Sequence, residues 1–179
     1  MILKNEDAGL FYNLFLPLLD YVNETYQVTV EHVHFEGESI DPQDALEAAR
    51  FLWERTWIID DYLTAVQLPE EQREILESWK RCVPGTFIVE RHLKKGSVFI
   101  SVDDNSVYLV HGIISSWEVM LQGAPLPVVL QATLLPFKNV IISDGLVSVK
   151  PVRFGRSIAS DFKDVYMNAK RGGTLITNI

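Results

Sequence analysis

The stretch from 133 to 155, TLLPFKNVIISDGLVSVKPVRFG, decides the fold of the second half of the chain. β-branched residues fill positions 140–142 and recur at 147, 149 and 152, on either side of Asp144-Gly145. An Asp-Gly pair between two such runs is a strong hairpin signal, because the favoured two-residue turn needs positive φ at both central residues. We therefore predict a hairpin turning at Asp144-Gly145, at the centre of a C-terminal β unit.

The residues around this stretch predict further strands and one late helix. Runs at 87–93, 97–102 and 106–113 alternate as an antiparallel meander does, and 128–135 reads as another strand. A short helix is predicted over 117–122 and a longer one over 157–170. Residues 174–179 are predicted to form a short strand that closes the sheet.

The first half of the chain is predicted to be mainly helical. Helical spacing covers residues 10–23, where Pro17 predicts a kink or two short helices. Residues 26–35 alternate as a strand does. Asp41-Pro42 begins a helix that is predicted to run to about Ala65, and Pro69 begins another. Pro84-Gly85 ends the helical region.

Together these elements predict an α+β protein. A helical part, residues 1–84, would pack on a small, mainly antiparallel C-terminal sheet or partly open barrel, residues 85–179, with one late helix. The connection at 84–85 is short, so we expect one compact body. The sequence leaves open whether the β part is a closed barrel or an open sheet.

Composition narrows the classes of protein. Of 179 residues, 47% are hydrophobic, which is enough for a packed core. A single cysteine, Cys82, excludes an internal disulfide, and no motif calls for a cofactor. Glu6 and Asp7 precede the first apolar run, where a secretory signal would carry basic residues. We expect a cytoplasmic protein without a membrane span.

The charge is divided unevenly along the chain. Residues 1–84 carry 17 acids and 6 bases, a net −11, whereas residues 85–179 carry 7 acids and 10 bases, a net +3. A pI near 5.0 argues against general nucleic-acid binding. The asymmetry is typical of acidic helical surfaces, of two halves that attract each other, or of an acidic half that keeps nucleic acid away.

Three segments, at 78–100, 133–147 and 154–179, resemble a group of uncharacterised bacterial proteins. Their shared pattern is "LPFK…II.DGL" followed by "FG…Y…AK". The resemblance extends from about Trp79 to residue 179 and implies a strand-and-helix C-terminal unit and a bacterial source. The group has no established activity, so no catalytic residue carries over.

Two clusters of residues suggest ligand sites. His32 and His34, two apart on a predicted strand, would point the same way and could hold a metal with a third ligand such as Glu24, Asp41 or His111. The alternative is two half-exposed strand histidines. At the start of the late helix, Gly155 and Ser157 offer free backbone donors beside Arg153 and Arg156, a small-anion site with His111 nearby. The alternative there is an ordinary helix cap.

No arrangement of nucleophile and base stands out, and the lone Cys82 is typical of a small apolar residue. We therefore expect a non-enzymatic binding or regulatory module that acts through protein contacts. Trp53 and Trp57, if exposed, would anchor a partner protein or a second copy of the chain. The alternative is an enzyme or small-anion-binding protein that uses Arg153, Gly155, Arg156 and Ser157.

Overall fold

A computed structural model describes residues 1–29, 41–122 and 124–179. The chain divides into two compact units, a helical unit of residues 4–82 and a β unit of residues 1–3 with 83–179. The described residues contain six α-helices and a six-stranded mixed, mostly antiparallel sheet, which confirms the α+β class. No described helix combines the length and the hydrophobicity that a bilayer crossing requires.

The described part of the helical unit contains four α-helices, and a 3₁₀ turn, Trp79–Arg81, follows the last one. The helices are α1 Asn5–Tyr26, α2 Pro42–Trp53, α3 Ile58–Ala65 and α4 Glu70–Ser78. The predicted start of α2 is confirmed: Asp41 accepts a hydrogen bond from the Gln43 backbone N–H at 2.8 Å, and Pro42 is the first helical residue. The prediction of two short helices around Pro17 is wrong, because α1 is a single helix with buried residues on both sides of the proline.

The prediction of one helix from Asp41 to Ala65 is wrong. Two tight turns separate α2 from α3. In the first, the Arg55 N–H donates to the Leu52 carbonyl, and in the second, the Ile58 N–H donates to the Arg55 carbonyl, both at 2.9 Å. The buried residues of both helices, among them Leu52 and Ile59, face the interior. Trp57, at the end of this turn, is left exposed.

An aromatic cluster forms the centre of the helical unit. The rings of Phe15 and Trp53 stack at 6.0 Å between centroids, and Trp79 lies 5.6 Å from Phe11 and 6.1 Å from Phe15. All four side chains are buried. The cluster joins α1, α2 and the start of the 3₁₀ turn, so it fixes the relative positions of these elements.

Six strands and two helices are found among the described residues of the β unit. The strands are β1 Val83–Leu93, β2 Gly96–Ser101, β3 Val107–Val110, β4 Val128–Phe137, β5 Val140–Ser143 and β6 Ser148–Lys150; the helices are α5 Trp117–Met120 and α6 Arg156–Gly172. The predicted meander is confirmed. Pro84-Gly85, where the sequence predicts the boundary between the helical and β parts, directly follows Val83, the first residue of β1. It lies at the start of β1, where a proline is tolerated, and pairs with Thr133 and Ala132 of β4.

Five of the strands form a ring. The pairings run from β1 to β2, β3, β5 and β4, and β4 pairs with β1 again. The backbone pairing of the ring is weakest between β3 and β5. These strands run parallel and are paired in register only at Val110 and Ile141. The arrangement resembles a five-stranded, partly open Greek-key barrel such as the OB-fold. This answers the question that the sequence left open in favour of a partly open barrel.

The predicted hairpin at Asp144-Gly145 is wrong. The hairpin turns at Lys138-Asn139, between paired Phe137 and Val140, with Lys138 at φ 52°. β5 and β6 follow each other along the edge of β4 opposite β1. Ser143 pairs with Leu134, and Ser148 pairs with Gln131. The chain therefore advances five positions between these two pairs, while β4 advances only three. Asp144-Gly145 therefore makes a bulge.

Two apolar layers stabilise the β unit. Inside the ring, residues such as Phe87, Phe99 and Leu130 pack with Trp117 of α5. Outside it, Val98, Ile100 and neighbouring residues of β1, β3 and β4 pack against α6 through Tyr166 and Ala169. The late helix predicted from the sequence thus covers the outer face of the first three strands.

Candidate functional site

The predicted anion site lies on open surface. Arg153, Arg156 and Ser157 are exposed, and a Cβ added to Gly155 would meet no atom within 4 Å. Gly155 is the N-cap of α6, and no side chain caps that helix start. The site remains a prediction; titration with inorganic phosphate, with Arg156→Ala for comparison, tests it.

His111, predicted to assist that site, directly follows β3. Its N–H donates to the Ile141 carbonyl at 2.8 Å, and its carbonyl accepts the Trp117 indole N–H at 3.2 Å. Burial lowers the pKa of its imidazole. These hydrogen bonds tie β3 to β5 and α5, and neither involves the 153–157 segment.

The predicted metal site cannot be described in the same way, because His32 and His34 lie outside the described residues. Most of the predicted strand at 26–35 lies outside them too, and Tyr26 itself ends α1. Within residues 1–29, 41–122 and 124–179, no three His, Cys, Asp or Glu side chains are grouped closely enough to hold a metal ion.

An aromatic surface surrounds the turn between α2 and α3. Trp57 is 52% exposed, and its ring meets that of Tyr26 edge-on, 6.0 Å between centroids. Tyr26 also lies 5.4 Å from the ring of Phe51, over which the guanidinium of Arg55 stands at 4.1 Å. With Asp61, these four residues define the Trp57 surface.

Acidic groups lie at the edge of the Trp57 surface. The Tyr26 hydroxyl donates to an oxygen of Asp61 at 3.4 Å, and Glu54 pairs with Arg55 at 3.3 Å. The pKa of Tyr26 is raised, first by burial and then by the neighbouring Asp61 carboxylate. The surface therefore combines an apolar aromatic centre with a negative edge.

The sequence prediction identified Trp57 as an anchor but not its neighbours. A continuous helix would put Trp57 on the same face as Trp53, yet Trp53 is buried and Trp57 is exposed. Alternation predicts a strand at Tyr26, so the sequence does not predict its contact with Trp57. The only sequence signal for the Trp57 surface is that Arg55 and Trp57 lie close together, immediately after an amphipathic run.

A second exposed apolar area, the α5 patch, lies on the β unit and consists of Met1, Ile2, Ile114, Val119 and Met120. Their exposure ranges from 43 to 67%. Ile2 bridges to Gly112, and the Val119 N–H donates to the Ser116 hydroxyl at 3.3 Å, at the start of α5. The patch lacks the Trp, Tyr and Arg residues that dominate binding energies.

His92 and Ser97 form a Ser–His pair across the β1–β2 hairpin. The Nδ1 of His92 and the hydroxyl of Ser97 are 2.8 Å apart, and Ser97 is only 4% exposed. A nucleophile must reach its substrate, and this hydroxyl is enclosed. Because the two residues are also register partners, the bond stabilises the hairpin.

The outer face of β2 and β3 is covered. OB-type barrels use this face to bind oligonucleotides and oligosaccharides. Here Ile100 and Val107 are buried in the layer that contains Tyr166 of α6. Fold alone does not imply function, and the cover removes this face from the surfaces available for a ligand.

The chain was compared with family models, curated proteins and solved structures, and no match was found in any of the three.

Proposed function

We propose that the chain is a non-enzymatic binding module of a bacterial cytoplasm that acts through protein contacts at the Trp57 surface. The exposed indole of Trp57 against Tyr26 carries this proposal. Trp, Tyr and Arg are enriched among the few residues that supply most of the binding energy of an interface. An exposed group of this composition would lose apolar contact with water on binding.

Charge indicates the kind of partner. The helical unit, residues 4–82, carries 17 acids and 6 bases, a net −11. Asp61 and Glu54 place part of this charge beside the aromatic rings. A protein segment with basic side chains around an apolar centre is complementary to such a surface. Nucleic acid is disfavoured, because its phosphates would be repelled.

A photoreactive side chain in place of Thr25, which is exposed and precedes Tyr26, tests the proposal in cells that produce the protein. We expect one cross-linked partner with a basic segment, identified by mass spectrometry and absent when Trp57→Ala is added. The matched control carries the photoreactive group at Val119, in the α5 patch. Cross-linking to a second copy of this chain, or equal cross-linking from both positions, would overturn the proposal.

A further inference from the structure

An open groove lies on the β unit between three parts of the chain. Its walls are the turn between β2 and β3, the last two turns of α6, and Thr174 with Ile176 in the C-terminal segment. Its volume is about 690 Å³. Sites for small molecules have volumes of roughly 300–1,000 Å³. The groove therefore has the size of a small-molecule site.

Hydrogen bonds hold the walls of this groove together. The Thr174 N–H donates to the Ala169 carbonyl at 2.9 Å, which ties the C-terminal segment to α6. The Ile176 N–H donates to the Val107 carbonyl at 2.8 Å, which ties the same segment to β3. The shape of the groove is thus set by the chain itself, as it is in most small-molecule sites.

The apolar part of the lining is continuous with the cores of the β unit. Val107 and Ala169 are buried in the layer between the sheet and α6, and the half-buried Val165 packs against that layer. Ile176, also half-buried, packs against the interior core. An apolar group that covers these side chains loses contact with water, which favours binding.

Asp104 supplies the charge of the groove. Among the described residues that line it, Asp104 has the one ionisable side chain. One of its oxygens accepts the Ser106 N–H at 3.0 Å, and the other accepts the Ser106 hydroxyl at 2.7 Å. These bonds, that from the backbone first, lower the pKa of Asp104. The carboxylate is therefore ionised at neutral pH.

The charge of Asp104 is not compensated by a base. No lysine, arginine or histidine nitrogen of the described residues lies within 4.0 Å of its carboxylate, whereas Glu90 is paired with Arg91. A carboxylate has about four acceptor sites on its two oxygens, and the bonds to Ser106 use two of them. Asp104 can therefore accept further hydrogen bonds from a ligand.

We propose that this groove binds a small organic cation, with a primary ammonium group at Asp104 and a short apolar body along Val107, Val165 and Ile176. The positive charge is complementary to the carboxylate, and an ammonium has three hydrogens to donate. The exposed Asn168, which also lines the groove, offers an amide oxygen as a further acceptor. This site shares no residue with the Trp57 surface, so either proposal can fail alone.

The test titrates the isotope-labelled natural chain with three probes of one skeleton, phenethylammonium, phenethyl alcohol and phenylacetate, and follows the amide signals by NMR. Phenethylammonium should shift the signals of Ser106, Asn168 and Ile176 in a saturable way. Its affinity should exceed that of the neutral alcohol about three- to fivefold, the size of an exposed ion pair, and phenylacetate should bind most weakly. Methylammonium, which lacks the apolar body, should give no saturable shift.

Two matched variants then test the role of the charge. Asp104→Asn keeps an oxygen for the Ser106 N–H but removes the charge, so it should bind phenethylammonium and phenethyl alcohol equally. Asp103→Asn, at an exposed neighbour that does not line the groove, should keep the preference for the cation. Loss of the preference in both variants would overturn the proposal.

The natural chain alone also decides, because the comparison of probes needs no variant. Equal affinity for phenethylammonium and phenethyl alcohol would show that the charge of Asp104 selects nothing. Shifts confined to the Trp57 surface would place the cation at the wrong acidic group. Either result, or the absence of saturable shifts with all probes, would overturn the proposal.

Discussion

The guanidinium carbon of Arg91 stands 4.7 Å from the ring centroid of Tyr166, so that one side chain of β1 holds α6 against the barrel. The same guanidinium pairs with Glu90, whose carboxylate is almost enclosed, with 8% of its side chain exposed. A bulge between Val89 and Arg91 brings the two neighbours together. Arg91 therefore compensates a buried negative charge and provides a cation–π contact to the helix.

We predict that Arg91→Ala lowers the free energy of unfolding by about 2 kcal/mol or more, because it leaves the Glu90 carboxylate buried without its partner. Urea unfolding followed by circular dichroism measures the change. The free energy of unfolding of Arg91→Lys should lie between those of the natural chain and Arg91→Ala, since an ammonium cannot form the paired bonds of a guanidinium. Arg153→Ala, at an exposed arginine, is the control and should change stability by less than about 0.5 kcal/mol. Equal midpoints for the Arg91→Ala and Arg153→Ala variants would contradict the role of Arg91.

Trp79 gives a prediction about an unsatisfied donor. Its side chain is fully buried, and among the described residues its indole N–H is the one buried side-chain donor without a hydrogen-bond partner. Leaving such a group unpaired costs about 1–3 kcal/mol. Trp79→Phe should therefore cost far less than the roughly 3–5 kcal/mol expected for Trp79→Ala. Guanidinium unfolding compares the two variants, and a loss of stability for Trp79→Phe as large as that for Trp79→Ala would contradict the prediction.

Gly112 and Gly9 form a contrasting pair. A Cβ on Gly112 would lie 1.9 Å from the Ser115 carbonyl oxygen, whereas one on Gly9 would meet nothing within 4 Å. Gly112→Ala should open the turn before α5 and destabilise the β unit by more than about 2 kcal/mol. Gly9→Ala should stabilise α1 by roughly 0.5–1 kcal/mol. Thermal unfolding measures the stability of both variants. A Gly112→Ala variant with the melting temperature of the natural chain would contradict the close packing of Gly112 against Ser115.

The two half-buried histidines predict a dependence of stability on pH. Burial lowers the pKa of both His92 and His111 below the ordinary value of 6.5. The unfolded chain therefore binds protons first as the pH falls through about 6.5, so stability is complete above this value and is lost below it. Urea midpoints should fall between about pH 7.5 and pH 5.5, and His92→Gln with His111→Gln should flatten the decline. An unchanged slope in the double variant would assign the loss to other groups.

The fold class, the capped start of α2, the meander and the late helix were predictable because each depends on local spacing or on a cap. The hairpin was not. Asp144-Gly145 does form a turn, in which the Gly145 and Leu146 N–H groups donate to the side chains of Ser143 and Asp144. Such a turn can join two strands that pair with each other, or it can form a bulge between two strands that both pair with a third. Here the pairing of β5 and β6 with β4 decides, and local spacing does not reveal that pairing. Lys138, with φ 52°, carries no sequence signal for the real turn.

The candidate site was predictable only in part. The sequence indicated tryptophan anchors because aromatic residues dominate interfaces, but periodicity carried the predicted helix through 54–57. The break there leaves Trp57 exposed and next to Tyr26, 31 positions earlier in the chain. Contacts of this kind cannot be derived from local spacing.

The most direct test of the Trp57 surface is a calorimetric titration of the purified natural chain and its Trp57→Ala variant with the cross-linked partner. We predict that Trp57→Ala weakens binding about thirtyfold, equivalent to the roughly 2 kcal/mol of a principal interface residue. Val119→Glu should leave affinity unchanged, and affinity should fall as ionic strength rises, because the partner is basic. If Trp57→Ala binds as tightly as the natural chain, the Trp57 surface is not the binding site.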